Sequence, residues 1–392
     1  TPSNSSAASD VYKRQLLYVS VFLGPFGGNT VLALIPSLEN FFGADISFIA
    51  ASITIYTIPF AFFQLFSGAL SDIYGRKQII IFGLFTFSLA SLCCAYSATI
   101  GLFLAARALQ GLGNAFIAPT IMATIGDFFS YRERGRVMGG YGASTTAGIA
   151  LGPLVGGFLA IIDWRLVFLL LSLFSGVLGF IYLFYFKSPK GEGELKNVLG
   201  KIKDVFTKKS FLMLCAIGFL VFFGNIAAMT FLADALKFSV TEDRIGILLS
   251  TFGFLGIVTA PVAGYLTDFI GRKKTLLIGL SITFCAFLIF LPVNSYASFF
   301  IPIAIMGIGS TTAFTSLNTM IVECTPKSRG AASSIYNSFR FLGYGLSPVA
   351  TLPVYLVSGL NGIVLLLICI ALMNILISTR VRRSSQNKSL SV

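Results

Sequence analysis

The sequence predicts an all-α polytopic membrane protein, with twelve transmembrane helices in two pseudo-symmetric six-helix halves. Three observations carry that prediction. The 392 residues are 56% apolar and only 11% charged, with a mean hydropathy of +0.87; a soluble domain carries about 25% charged residues. Apolar runs of about 20 residues, the length that crosses a bilayer, recur along the whole chain. A ten-residue polar motif occurs twice, 196 residues apart.

The runs lie at 16–38, 46–70, 78–97, 100–126, 137–160, 164–186, 211–235, 244–268, 275–293, 296–322, 330–353 and 355–379. Ahead of them stands TPSNSSAASDVYKRQ. Its last six residues back-translate to the mosaic end of a transposase adapter. Residues 1–15 are therefore read as a sequencing-adapter scar and kept out of the fold reasoning. The remainder divides into an N-terminal half at 16–187, a linker at 188–210, a C-terminal half at 211–383 and a tail at 384–392. The linker is polar and basic, and a short amphipathic helix at 195–206 is expected to lie on the anionic inner leaflet.

Net charge is +13, which on a soluble protein points to nucleic acid. Its distribution gives another reading. The loops after even-numbered spans and the C-terminal tail hold 21 Lys and Arg, while the opposite loops hold 3, namely Arg165, Lys237 and Arg244. Basic residues gather on the cytoplasmic side. The asymmetry thus expects both termini and the linker in the cytoplasm of a cell that carries this chain as a multi-pass protein of its plasma or inner membrane. It removes nucleic acid as a partner.

Chemistry of the catalytic kind has little to work with. The chain has no His, and Cys93, Cys94, Cys215, Cys285, Cys324 and Cys369 lie in or beside apolar runs without metal-ligand spacing. No catalytic residues, metal or cofactor are expected, and no enzyme. No GxxxxGK[ST] phosphate loop is present either, so ATP does not drive transport through this chain alone.

The repeated motif is GALSDIYGRK at Gly68–Lys77 and GYLTDFIGRK at Gly264–Lys273, identical at six of ten positions. The register continues. Gly111 and Gly113 match Gly307 and Gly309, Asp127 matches Glu323, and Gly148 matches Gly343 one residue out of step. Two parallel six-span repeats describe a carrier whose halves rock about a central site. The pattern G-x-L-x-D-x-x-G-R-K after the second span resembles the signature of the major facilitator superfamily, and the likeness covers Leu16 to Arg383. Asp72 and Arg76, four residues apart, are spaced to pair. The resemblance implies that Gly68, Asp72, Gly75, Arg76 and Lys77 form a cytoplasmic conformational latch, with Gly264, Asp268, Gly271, Arg272 and Lys273 as its copy. One departure is that Ile73 and Phe269 stand where the family often has a basic residue.

Two further motifs resemble that superfamily, the second of them its drug:proton antiporter branch. RALQGLGNAF at Arg107–Phe116 resembles an R-x-x-x-G-x-G motif whose arginine is linked to proton transfer. An arginine within a span costs at least ~2.5 kcal/mol and is a functional candidate by default. Ile303 stands at its repeat position. GIALGPLVGG at Gly148–Gly157 resembles the antiporter glycine motif. Gly148, Gly152 and Gly156 recur every four residues, so they give one smooth packing face, with Pro153 and Gly157 beside it.

By resemblance, spans 1, 4, 7 and 10 line the substrate cavity, with spans 2, 5, 8 and 11 alongside. The cavity candidates are Asn29, Tyr56, Asn114, Asn225, Asn318, Tyr336, Asn337, Arg340 and Tyr344. Arg340 lies about 15 Å into its span at 1.5 Å per residue. No Asp or Glu falls at mid-depth. The coupling candidates are Arg107 together with Glu39 and Asp234 toward the outer mouth and Asp127 and Glu323 toward the inner one. The expected protein is a monomeric secondary transporter of small molecules. It works by alternating access, couples to protons and exports multidrug-type or metabolite cargo that is anionic or amphiphilic. The alternatives are a metabolite importer (symporter or uniporter) and a non-transporting sensor on the same fold.

Overall fold

A computed structural model describes residues 4–186, 208–324 and 329–381. The expected linker helix at 195–206 and the tail at 384–392 lie outside the described residues. Among the described residues the chain is helical throughout, without a strand. Contact clustering divides it into two units, Thr1–Leu195 with Ala233–Gly253, and Lys196–Leu232 with Phe254–Val392.

The first span is broken. α1 (Asn4–Thr30) starts inside the expected adapter stretch, and α2 (Ile35–Phe42) follows after a bend of 62°. The amides of Leu32, Ala33 and Leu34 bond to carbonyls three residues back, which tightens the chain into a turn. Pro36 sits in the first turn of α2, where its missing N–H costs nothing. The continuous run expected at 16–38 is thus a long helix, a turn and a short helix that carries Glu39.

α3 (Ile46–Tyr74) begins at Asp45, whose side chain accepts from Ser47 N at 2.9 Å. It ends at Gly75, where φ of +95° favours glycine. α4 (Arg76–Ala95), α5 (Ile100–Phe128), α6 (Tyr131–Ala160) and α7 (Arg165–Tyr185) complete the N-terminal helices. α6 opens on a capping box, in which the Ser130 amide and hydroxyl donate to Glu133 Oε2 at 3.3 and 2.8 Å. Those bonds hold the Glu133 carboxyl below its usual pKa.

α8 (Lys209–Leu236), α9 (Glu242–Phe269), α10 (Arg272–Phe290), a 3-10 turn at Ala297–Phe299, α11 (Phe300–Cys324) and α12 (Arg329–Arg380) follow. Residues 233–253, the end of α8 and the start of α9, belong to the first unit. α12 is two spans in one run. Gly359 breaks it, with φ 59° and ψ −158°, a conformation essentially restricted to glycine. The apolar runs at 330–353 and 355–379 place that break near 354. Pro353 stays inside the helix, as prolines in membrane helices often do. Among the described residues, ten helices are long and apolar enough to cross a membrane; the α1–α2 pair adds an eleventh, and the break in α12 makes twelve.

Candidate functional site

In the first unit, the motif turn between α3 and α4 is an ion-pair cluster. Arg76 reaches Asp72 at 2.5 Å and Asp127 of α5 at 2.9 Å. It also donates to Ser71 Oγ. Lys77 Nζ caps the Leu183 carbonyl at the end of α7 at 2.9 Å. One turn therefore ties α3, α4, α5 and α7. The second unit repeats the device. Arg272 bonds Glu323 at 2.9 Å, and Lys273 donates to the Thr379 carbonyl at 2.6 Å. The copy is incomplete: Asp268 is exposed and in no ion pair among the described residues.

Arg107 is fully buried in α5. Its guanidinium stacks over the Tyr56 ring at 4.2 Å and donates to the Gly27 carbonyl at 3.2 Å and to Gln110 Oε1. Gln110 in turn donates to Ser91 at 2.7 Å. Tyr56 donates to the Gly24 carbonyl at 2.9 Å and accepts from Asn114 at 3.1 Å. Helices α1, α3, α4 and α5 thus share one polar network, and its cation is met by π-electrons and carbonyls. Asn29 donates to the Pro25 carbonyl at 2.8 Å.

The glycine stripe of α6 faces α1. A Cβ on Gly148 would meet the Phe22 carbonyl at 2.7 Å, and one on Gly152 the Phe26 carbonyl at 2.6 Å. On Gly156 it would stand 3.1 Å from Thr30 O. Only glycine allows backbones this close. The Thr30 hydroxyl stitches the seam by donating to the Gly152 carbonyl at 3.1 Å. Gly157 and the Pro153 carbonyl form a second contact face, taken by the start of α9 at Glu242 and Gly246.

At the far end of α8 from Lys209, three charges meet. Lys237 Nζ lies 2.7 Å from both Glu39 of α2 and Asp234 of α8. The side chains of Glu39 and Asp234 are 10% and 6% exposed. Burial works against the lysine's charge. The bonds and charges of Asp234 and Glu39 outweigh it and hold the Lys237 pKa above the usual lysine value.

In the second unit, Arg340 of α12 is wrapped in rings, with Phe341, Phe222 and Phe314 at 4.4, 4.7 and 4.8 Å. Tyr336 is fully buried one turn away, against Gly218. Asn225 accepts from Ser310 at 3.0 Å. Asn318, Asn337 and Tyr344 are half-buried.

The expected residues therefore fall into separate sets. Arg107, Tyr56 and Asn114 come together, as do Tyr336 and Arg340, and Glu39 and Asp234. Asp127 and Glu323 stand in the ion pairs of the motif turns. The sequence reading missed Gln110, which its i+3 spacing from Arg107 marks, and Lys237, which it counted only as a loop charge. The stacking rings Phe222 and Phe314 carried no sequence signal.

A chain of twelve membrane-spanning helices, with one motif turn heading each six-helix repeat, is a carrier of the two-repeat class. The family model of the Major Facilitator Superfamily matches residues 17–239 and 214–391, and the chain belongs to that family. The MFS-type transporter YwfA of Bacillus subtilis (strain 168) is 26% identical, over 96% of this chain and 95% of its own. The bacillibactin exporter of the same organism is 26% identical over 93% and 95%, and its multidrug resistance protein 1 is 24% identical over 85% and 87%. Among solved structures, a bacterial homologue of the human lysosomal transporter Spinster superposes with a TM-score of 0.77 at 17% identity, covering 96% and 98% of the two chains. That likeness is one of fold. The protein is an MFS transporter and a multi-pass membrane protein.

Proposed function

We propose that this transporter is a proton-coupled exporter of amphiphilic small molecules that carry an anionic group, working by alternating access. The observation that carries export is the seam of α6 on α1. Gly148, Gly152 and Gly156 match the glycine motif of antiporters and are spent on backbone contact with α1. Two of the similar proteins are named as a bacillibactin exporter and a multidrug resistance protein, which supports the same direction. The buried Arg107 network is the coupling element within the N-terminal helices. The 21-to-3 distribution of basic residues supports both termini in the cytoplasm of a cell membrane.

The substrate class follows from Arg340. Rings at 4.4 to 4.8 Å leave the guanidinium's edge as the part that offers hydrogen bonds. An anionic group meets that edge while an apolar body lies on the phenylalanines. Uptake of labelled anionic and cationic amphiphiles into proteoliposomes under a pH gradient tests this. Wild-type protein prefers the anion, and Arg340→Ala lowers anion uptake at least ~10-fold, the loss of one charge-assisted hydrogen bond of about 1.5–3 kcal/mol. An unchanged preference in Arg340→Ala contradicts the reading.

A further inference from the structure

The cluster of Glu39, Asp234 and Lys237 holds two carboxylates against one ammonium. Glu39 and Asp234 share that ammonium in a setting where the three side chains are 10%, 6% and 16% exposed. The two oxygens of Glu39 differ. Glu39 Oε2 takes the lysine bond at 2.7 Å, while Glu39 Oε1 is buried and accepts no hydrogen bond. A buried carboxylate oxygen without a donor is costly, and adding a proton there removes the charge that nothing solvates.

The elements around α2 leave this reading intact. α9 brings Glu242, which accepts from Ser37 Oγ at 2.8 Å, with Asp243 and Arg244 in the same turn. α7 brings Arg165, stacked on Phe41 at 4.3 Å and 3.6 Å from Asp163. α3 brings Asp45, which is used as its N-cap. The described hydrogen bonds to Glu39 include none from Arg165 or Arg244.

We infer that Glu39, Asp234 and Lys237 form a one-proton binding site, with the proton carried on Glu39 Oε1. Its role as the coupling proton rests on the export reading above. Protonation removes the charge on Glu39. Lys237 then keeps Asp234, three residues away in its own segment, and gives up the bond to Glu39, 198 residues away. Proton uptake therefore releases α2 from the end of α8, and proton loss restores the tether. The site couples proton occupancy to the hold of α2 on residues 233–253.

The test is infrared difference spectroscopy of the full chain in lipid, titrated with pH and read at the carboxylic C=O stretch. Wild-type protein gives a band equivalent to one protonated carboxyl that titrates with pH, and Glu39→Gln loses it. Should that variant fail to fold, Lys237→Gln decides. It keeps Glu39 but removes the cation at bonding distance, so the midpoint rises by about 1 to 3 pH units. No titrating band in wild type, a band that survives Glu39→Gln, or a midpoint that stays or falls in Lys237→Gln overturns the site. The readout needs no substrate. A band without gradient-driven transport sinks the export reading alone, and gradient-driven transport without the band sinks this site alone.

Discussion

Arg107 shows how uncharged groups can meet a charge inside a membrane span. Its cation faces the Tyr56 ring, the Gly27 carbonyl and the Gln110 side chain. Each is an uncharged, electron-rich group, and a desolvated cation–π contact alone is worth about 2 kcal/mol. Tyr56 does two jobs, and two substitutions separate them. Tyr56→Phe keeps the ring and loses the bonds to Gly24 and Asn114, a cost of about 1–3 kcal/mol. Tyr56→Ala also removes the stacking face and opens a cavity, for at least ~3 kcal/mol. Thermal unfolding of the detergent-solubilised protein checks this ranking, and equal losses would mean that the ring contact contributes nothing. Much of this network was legible at residue level. Arg107 and Asn114 share a helix face at a spacing of seven, and Tyr56 was a cavity candidate. The Glu39–Lys237 pair was not legible, because no local pattern joins residues 198 apart.

At the scale of the element, α6 is held against α1 by its glycines. Its glycines put the α1 backbone within 2.6 to 3.1 Å of where a Cβ would stand. Backbone on both sides leaves no flexible side chain to yield. Gly152→Ala is therefore expected to destabilise by about 1–3 kcal/mol, the usual cost of overpacking, and to slow transport. Gly142→Ala, where a Cβ meets nothing within 4 Å, is expected to be neutral on both counts. Melting temperature and initial uptake rate of the two variants read the difference. The period of four in GIALGPLVGG announced this seam, though not that α1 is its partner. The broken first span was hidden by its own composition. Val31 to Leu34 is wholly apolar, so hydropathy runs through the turn, and only Pro36 hints at a new helix start. In α12 the apolar runs place a boundary near 354, and the break falls at Gly359 instead.

At the scale of the molecule, the repeat in sequence returns as a repeat in contacts. Arg76 to Asp127 and Arg272 to Glu323 both join residues 51 apart. Lys77 to Leu183 and Lys273 to Thr379 both join residues 106 apart. A Cβ on Gly83 or on Gly279 would meet the carbonyl of a matching glycine, Gly113 or Gly309, at 2.8 Å. Hydropathy and the 196-residue offset made this architecture readable, because both are set by spacing alone. The departures from symmetry are local: Asp268 stays outside the second cluster, and Ile303 stands where the first repeat has Arg107. Specialised function is expected at such departures, and the Arg107 network is where proton coupling is proposed.

That claim is tested most directly by reversing the driving force. Purified full-length protein in proteoliposomes is given a labelled amphiphilic anion, with the lumen made acidic or alkaline relative to the bath and protein-free vesicles as reference. Antiport predicts accumulation above equilibrium only with the acidic lumen, as protons leave and substrate enters, and its collapse on adding a protonophore. Accumulation driven instead by an acidic bath, or uptake indifferent to the gradient, would contradict it.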